Sequence, residues 1–135
     1  MHYPVSPFQE TLGLVYFARL CDKIRLYQND ELAEDYHANL GKGMDLWTCQ
    51  LLQVEYAQLK KQVEAGASDT EVLEWCFKQG TRPDTLQVSW WNSYIRNRGF
   101  NDDLSEKLQM RIKESGFEEK NIQTFFQYID ADEER

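Results

Sequence analysis

The sequence predicts an all-α fold: an irregular bundle of seven or eight short helices in a single compact domain over residues 1–135. Three observations lead there. Helix-starting and helix-stopping residues recur along the chain, and between them apolar residues return at the i, i+3, i+4 rhythm. Period-two alternation bounded by hairpin dipeptides hardly appears.

Taken in order, Ser6-Pro7-Phe8-Gln9 has the form of a helix start, with a capping Ser, Pro at the first helical position and Gln at the third. The helix it predicts runs to about residue 27. It places Gly13, Phe17, Leu20, Cys21, Ile24 and Tyr27 on one face. Leu12, Leu14, Val15 and Tyr16 cover much of the remaining circumference, which marks this helix as the central one. Asn29 or Asp30 can cap a short helix over 31–39, ended by Gly41 and Gly43. An apolar helix over 44–52 carries Leu46, Trp47, Cys49 and Leu51. Another over 55–65 stripes Tyr56, Leu59 and Val63 and stops at Gly66.

Ser68-Asp69-Thr70-Glu71 is a capping box, and the helix it opens packs Val72, Leu73, Cys76 and Phe77 before Gly80. Pro83-Asp84 starts the next, where Val88, Trp91, Tyr94 and Ile95 share a face until Gly99. Asn101 or Asp102 caps a helix packing Leu104, Leu108 and Ile112, with Gly116-Phe117 as a Schellman stop. The last helix, over 118–129, gathers Ile122, Phe125, Phe126 and Ile129. Residues 1–5 are expected to fray, and residues 130–135 form an acidic tail.

Composition narrows the function classes. With 23 Asp+Glu against 15 Lys+Arg the chain carries −8, and a surface so charged repels a phosphate backbone unless its cations cluster. They do not: residues 82–113, the richest stretch around Trp90-Trp91, reach only +2, so no nucleic-acid partner is expected. No run of about 18 apolar residues exists, so no membrane span is expected. The first residues show neither a basic nor an apolar signal region. Cys21, Cys49 and Cys76 are odd in number, lie 28 and 27 residues apart, and sit in apolar stripes. Such thiols pack as small hydrophobes, and the expected location is the cytoplasm.

Chemistry-bearing motifs are sparse. Glu34 and His37 form one E-x-x-H, where a di-iron bundle needs two with further glutamates, so no metal and no cofactor are expected. Phosphate-binding loops, nucleophile elbows and Cys-x-x-Cys pairs are absent from the sequence. Charges inside apolar segments are more informative. Arg19, Asp22, Lys23 and Arg25 fall in the most apolar helix, with Asp22 spaced to pair with Arg19 or Arg25. Arg98 follows Tyr94 by four residues and Trp91 by seven, a spacing that suits stacking or a buried ion pair. Asp130 and Asp132 either remain solvated or fold back on Lys23, Arg25 or Arg98.

Several of these segments also carry a family likeness: Leu12-Gly13, Arg19-Leu20-Cys21-Asp22-Lys23-Ile24-Arg25, Gly43-Met44-Asp45 and 66–75. Trp91-Asn92, Arg98-Gly99 and the ending 124–133 complete the set. Together they resemble the bacterial domain-of-unknown-function family numbered 5069, whose members are single small domains. The likeness covers about residues 6–135. It implies a bacterial, cytosolic, single-domain protein and supplies no activity. Glu134 stands where that pattern has glycine, which argues against a terminal turn there.

Two functional readings follow. The first is a non-enzymatic binding module for a protein or small ligand, motivated by missing catalytic signatures and by surplus aromatics such as Trp90, Trp47 and Trp75. The second is a small enzyme or anionic-ligand-binding protein built on Asp22, Lys23, Arg25, Asp45 and Arg98, because charge placed where core is expected costs energy unless paired or used. A purely structural ion-pair network in those same residues is the bland alternative. The candidate ligand-binding residues are Asp22, Lys23, Arg25, Asp45, Trp90, Arg98, Asp130 and Asp132, and the expected state is a monomer or small homo-oligomer.

Overall fold

The structure is a computed structural model that describes residues 2–135. Helices make up 60% of the chain, so the mostly helical fold class stands. The residues group into two compact units, Met1–Val88 and Ser89–Arg135.

The first unit departs from expectation at its start. Ser6 Oγ accepts the Phe8 N–H in a turn, and a hairpin of β1 (Glu10–Thr11) and β2 (Leu14–Val15) follows. Thr11 pairs with Leu14 and Glu10 with Val15, antiparallel. Leu12 and Gly13 form the two-residue turn, with φ of 49° and 83°. Positive φ at both central positions is what a type I′ turn requires, and Gly13 meets it without strain. A continuous helix from residue 7 is therefore wrong. The central helix α1 (Phe17–Gln28) begins only after Tyr16, itself left-handed at φ 75°.

Of residues 1–5, expected to fray, Met1 lies outside the described residues, while His2 and Val5 are tied down. The Val5 N–H donates to Asp22 Oδ2 at 3.0 Å, Arg19 donates to the Val5 carbonyl at 3.1 Å, and His2 pairs with Glu31. The expected helix over 31–39 is a 3₁₀ stretch, Glu34–Asn39, with no buried residue to hold a longer α-helix.

The remaining elements of this unit are α2 (Met44–Leu52), α3 (Tyr56–Glu64) and α4 (Asp69–Gln79). The capping box at α4 forms as read: Ser68 Oγ accepts the Glu71 N–H and the Glu71 carboxylate accepts the Ser68 N–H. α1 packs on α3 and α4, and α2 on α3. Their shared core holds Phe17, Leu20, Cys21, Ile24, Leu52, Leu59, Leu73 and Cys76, all at most 2% exposed. Fully burying aliphatic and aromatic side chains of this size contributes about 1.5–3 kcal/mol each. Gly80, just after α4, lies against the end of α2, where Thr81 N–H donates to the Leu52 carbonyl.

α5 (Thr85–Arg96) opens with a reciprocal Asp84–Gln87 cap and carries the chain into the second unit. There α6 (Ser105–Ser115) ends in the expected Schellman stop, Phe117 N–H donating to the Ile112 carbonyl. The expected helix over 118–129 is split. A 3₁₀ turn (Glu118–Lys120) breaks at left-handed Asn121, and α7 (Phe125–Asp132) starts where Thr124 Oγ1 accepts the Gln127 N–H. Trp91, Ile95, Leu108, Ile112 and Phe126 form the buried set here. A terminal turn does close the chain. Glu134 adopts φ 66° and Arg135 N–H donates to the Asp130 carbonyl, although no glycine stands there.

Candidate functional site

The candidate residues divide by unit. Asp22, Lys23, Arg25 and Asp45 belong to the first, and Trp90, Arg98, Asp130 and Asp132 to the second.

In the first unit Lys23 and Asp45 come together. Lys23 Nζ lies 2.7 Å from Asp45 Oδ1, with side-chain exposures of 9% and 0%. A residue the sequence reading passed over completes the cluster: the Tyr16 hydroxyl donates to Asp45 Oδ1 at 2.6 Å and accepts from Lys23 at 3.1 Å. The second Asp45 oxygen accepts the Gly41 N–H at 3.0 Å. The latch joins the residue before α1, the middle of α1 and the first turn of α2. Burial, followed by the Asp45 charge, holds the Tyr16 hydroxyl well above its ordinary pKa, so it stays a donor. Burial and then Asp45 push Tyr56 up in the same way.

The other two members close elsewhere. Asp22 accepts the Val5 N–H, and Arg25 pairs with Asp69 at 2.6 Å, not with Asp22. The Arg25–Asp69 pair borders an open cleft of about 510 Å³ at the start of α4, lined also by Gly66, Ser68, Thr70 and Glu71. Its helix-start donor on Glu71 is already taken by Ser68.

In the second unit Arg98 stacks as expected, while the ion pairs it makes reach out to carboxylates that are not buried. Its guanidinium lies 5.2 Å from the Tyr94 ring centroid and pairs with Asp102 and Asp103, each at 2.9 Å. Asp102 also accepts the Gly99 and Leu104 N–H groups, which fastens the turn between α5 and α6. The hydrogen bond from Arg98 is the largest influence holding the Asp103 carboxyl below its usual range. Asp130 pairs with Arg135 at 3.2 Å, Arg135 also reaches buried Glu133 at 2.8 Å, and Asp132 is the last residue of α7. The acidic ending is thus folded chain and not a free tail.

The aromatic pair parts as read. Trp91 is 8% exposed, and its Nε1–H is buried without a hydrogen-bond partner among the described residues. Trp90 is 62% exposed and Tyr94, one turn on, 52%.

The three thiols are free and buried. Burial is the leading cause that raises them all, Cys49 and Cys76 to about 12. A thiol held so high is scarcely ionised at neutral pH and is a poor nucleophile. Native protein is accordingly expected to react with a thiol reagent at least about tenfold more slowly than unfolded protein, measured by time-resolved absorbance. One thiol that labels at the unfolded rate would contradict this.

Among the described residues no group of His, Cys, Asp and Glu is arranged to hold a metal ion, and no helix is long and apolar enough to cross a membrane. No curated protein and no solved structure matches the chain. One family model does, over residues 1–135: the chain belongs to the family described as a domain of unknown function, DUF5069.

Proposed function

We propose that this domain is a non-enzymatic module that binds another protein through the exposed face of α5. One observation carries the reading. Trp90 and Tyr94 stand outside, one turn apart on one face. Single exposed apolar residues are ordinary, but Trp and Tyr are among the residues that concentrate binding energy at protein interfaces.

The charged candidates support the same side of the choice. Lys23, Arg25 and Arg98 each close on a carboxylate at 2.6–2.9 Å, which is the pattern of groups engaged in holding the fold. A site for an anionic ligand or for acid–base work needs such groups unspent. The three free thiols fit a reducing compartment, and we place the protein in the cytoplasm.

The test is site-specific photo-crosslinking in cells that express the full chain. A benzophenone amino acid at position 90 is expected to give a discrete protein adduct that excess unmodified chain competes away. The same probe at exposed position 118 should give none. A smear common to both positions, or no adduct at 90, would defeat the proposal.

A further inference from the structure

We infer that one side of α1 is a docking groove for an extended peptide with prolines three residues apart, filled here by the protein's own residues 2–7 as a resident ligand. The inference concerns the first unit alone and does not rest on the α5 reading. The segment runs antiparallel to α1 and is gripped at successive steps. The Pro7 carbonyl accepts the Tyr16 N–H at 2.9 Å. The Val5 carbonyl accepts from Arg19 at 3.1 Å, and the Val5 N–H donates to Asp22 at 3.0 Å. The His2 N–H donates to the Glu31 carbonyl at 3.3 Å, and its imidazole pairs with the Glu31 carboxylate. Residues three apart on a helix are neighbours, so 16, 19 and 22 form one ridge.

These four hydrogen bonds all fall on main-chain atoms of the segment, a readout blind to its side chains. Selectivity comes from positions 4 and 7, both proline and both buried. Proline has no N–H, so neither buried position has a donor to satisfy, whereas any other residue would bring one. Each proline also fixes its own φ and pushes the residue before it towards extended backbone. Tyr3, Pro4, Ser6 and Pro7 are thereby set before docking, which lowers the entropy cost of binding. Grooves that take Pro-x-x-Pro chains exploit the same economy. The Glu31 carboxylate adds a preference for an imidazole or a cation two residues ahead of the first proline.

The groove can change occupant. Residues 2–7 belong to no helix or strand. The core residues Phe17, Leu20, Cys21 and Ile24 take other positions of α1, so releasing the segment opens the ridge without opening the core. Arg19 and Asp22 then lose a main-chain partner each, and an incoming chain of the same chemistry restores both. That chain competes with a tethered one, whose effective concentration is on the order of millimolar. It binds weakly until the resident segment is loosened.

Fluorescence anisotropy with a labelled peptide of residues 2–8 tests this on the full chain. Pro4→Ala loosens the resident segment, and the peptide is expected to bind this variant saturably and about tenfold more tightly than the parent. The same peptide with alanine at both prolines should not saturate. Circular dichroism checks that the variant keeps the parent's helix signal. A second measurement needs no variant. In native-state hydrogen exchange on the parent chain, the Val5 amide should exchange at least about a hundredfold faster than that of Ile24. About 2 mM unlabelled peptide should speed Val5 further and leave Ile24 unmoved. The groove is overturned if a folded Pro4→Ala chain shows no saturable binding or binds no tighter than the parent, or if both peptides bind alike. It is equally overturned if Val5 exchanges together with Ile24 or ignores the added peptide.

Discussion

Replacing Asp45 by alanine is expected to destabilise the first unit by about 3–5 kcal/mol, the cost of breaking a buried ion pair from one side. The substitution leaves the Lys23 ammonium without its 2.7 Å counter-charge, and the Tyr16 hydroxyl and Gly41 N–H without their acceptor. Urea denaturation followed by far-UV circular dichroism reads the loss. Lys23→Met should act in the same direction, because it strands the Asp45 carboxylate. The double variant Lys23→Met with Asp45→Leu should regain part of the loss, since apolar replacement of both partners removes the desolvation cost along with the attraction. If Asp45→Ala loses under about 1 kcal/mol, the latch is worth no more than a surface pair. Alkali offers an independent check on Tyr16. Its folded-state pKa is raised, so its contribution is complete below the unfolded value near 10 and is lost as pH climbs towards the folded value.

Gly80→Ala comes next in size, at about 3 kcal/mol, and for a reason unrelated to charge. A Cβ there would lie 2.0 Å from the Leu52 carbonyl oxygen and 2.6 Å from that of Gln53. Both obstacles are backbone at the end of α2, and neither can swing aside as a side chain tip can. Relief requires α4 to pull away from α2, at the cost of the Thr81–Leu52 hydrogen bond. Melting of the variant should begin well below that of the parent chain, whereas Gly66→Ala, with open space around its Cβ, should show only the cost of a positive φ. Equal melting temperatures for the two would refute the close approach.

Local signals carried most of the fold. The apolar runs of α1 to α6, the Ser68–Glu71 box and the Gly116 stop depend on neighbours within one or two turns, and such patterns are written directly in the chain. The first hairpin was hidden because its turn is Leu-Gly, with only one of the two residues customary at positive φ, while Ser-Pro just before imitates a helix cap. In the site, Arg98 with Tyr94 was legible at a spacing of four. Asp102 and Asp103, four and five residues beyond Arg98, were within reach of the same reasoning. Tyr16 with Asp45 and Arg25 with Asp69 were not. These partners are 29 and 44 residues apart, and only the packing of α1 against its neighbours decides which carboxylate each donor meets.

Among the described residues, four other than glycine, asparagine or aspartate stand at positive φ: Leu12, Tyr16, Gln53 and Glu134. Each holds a conformation that costs an ordinary L-residue roughly 1–2 kcal/mol. In evolutionary terms the chain keeps stability in reserve. A lineage can draw on it at positions 12, 53 and 134 by single changes to glycine, each a turn or helix end outside the core. Such gains can offset damage elsewhere while the fold persists. Position 16 is different in kind. Its backbone strain is inseparable from the hydroxyl that reaches Asp45, so relief there dismantles the latch. Of the four, it alone offers selection no free step.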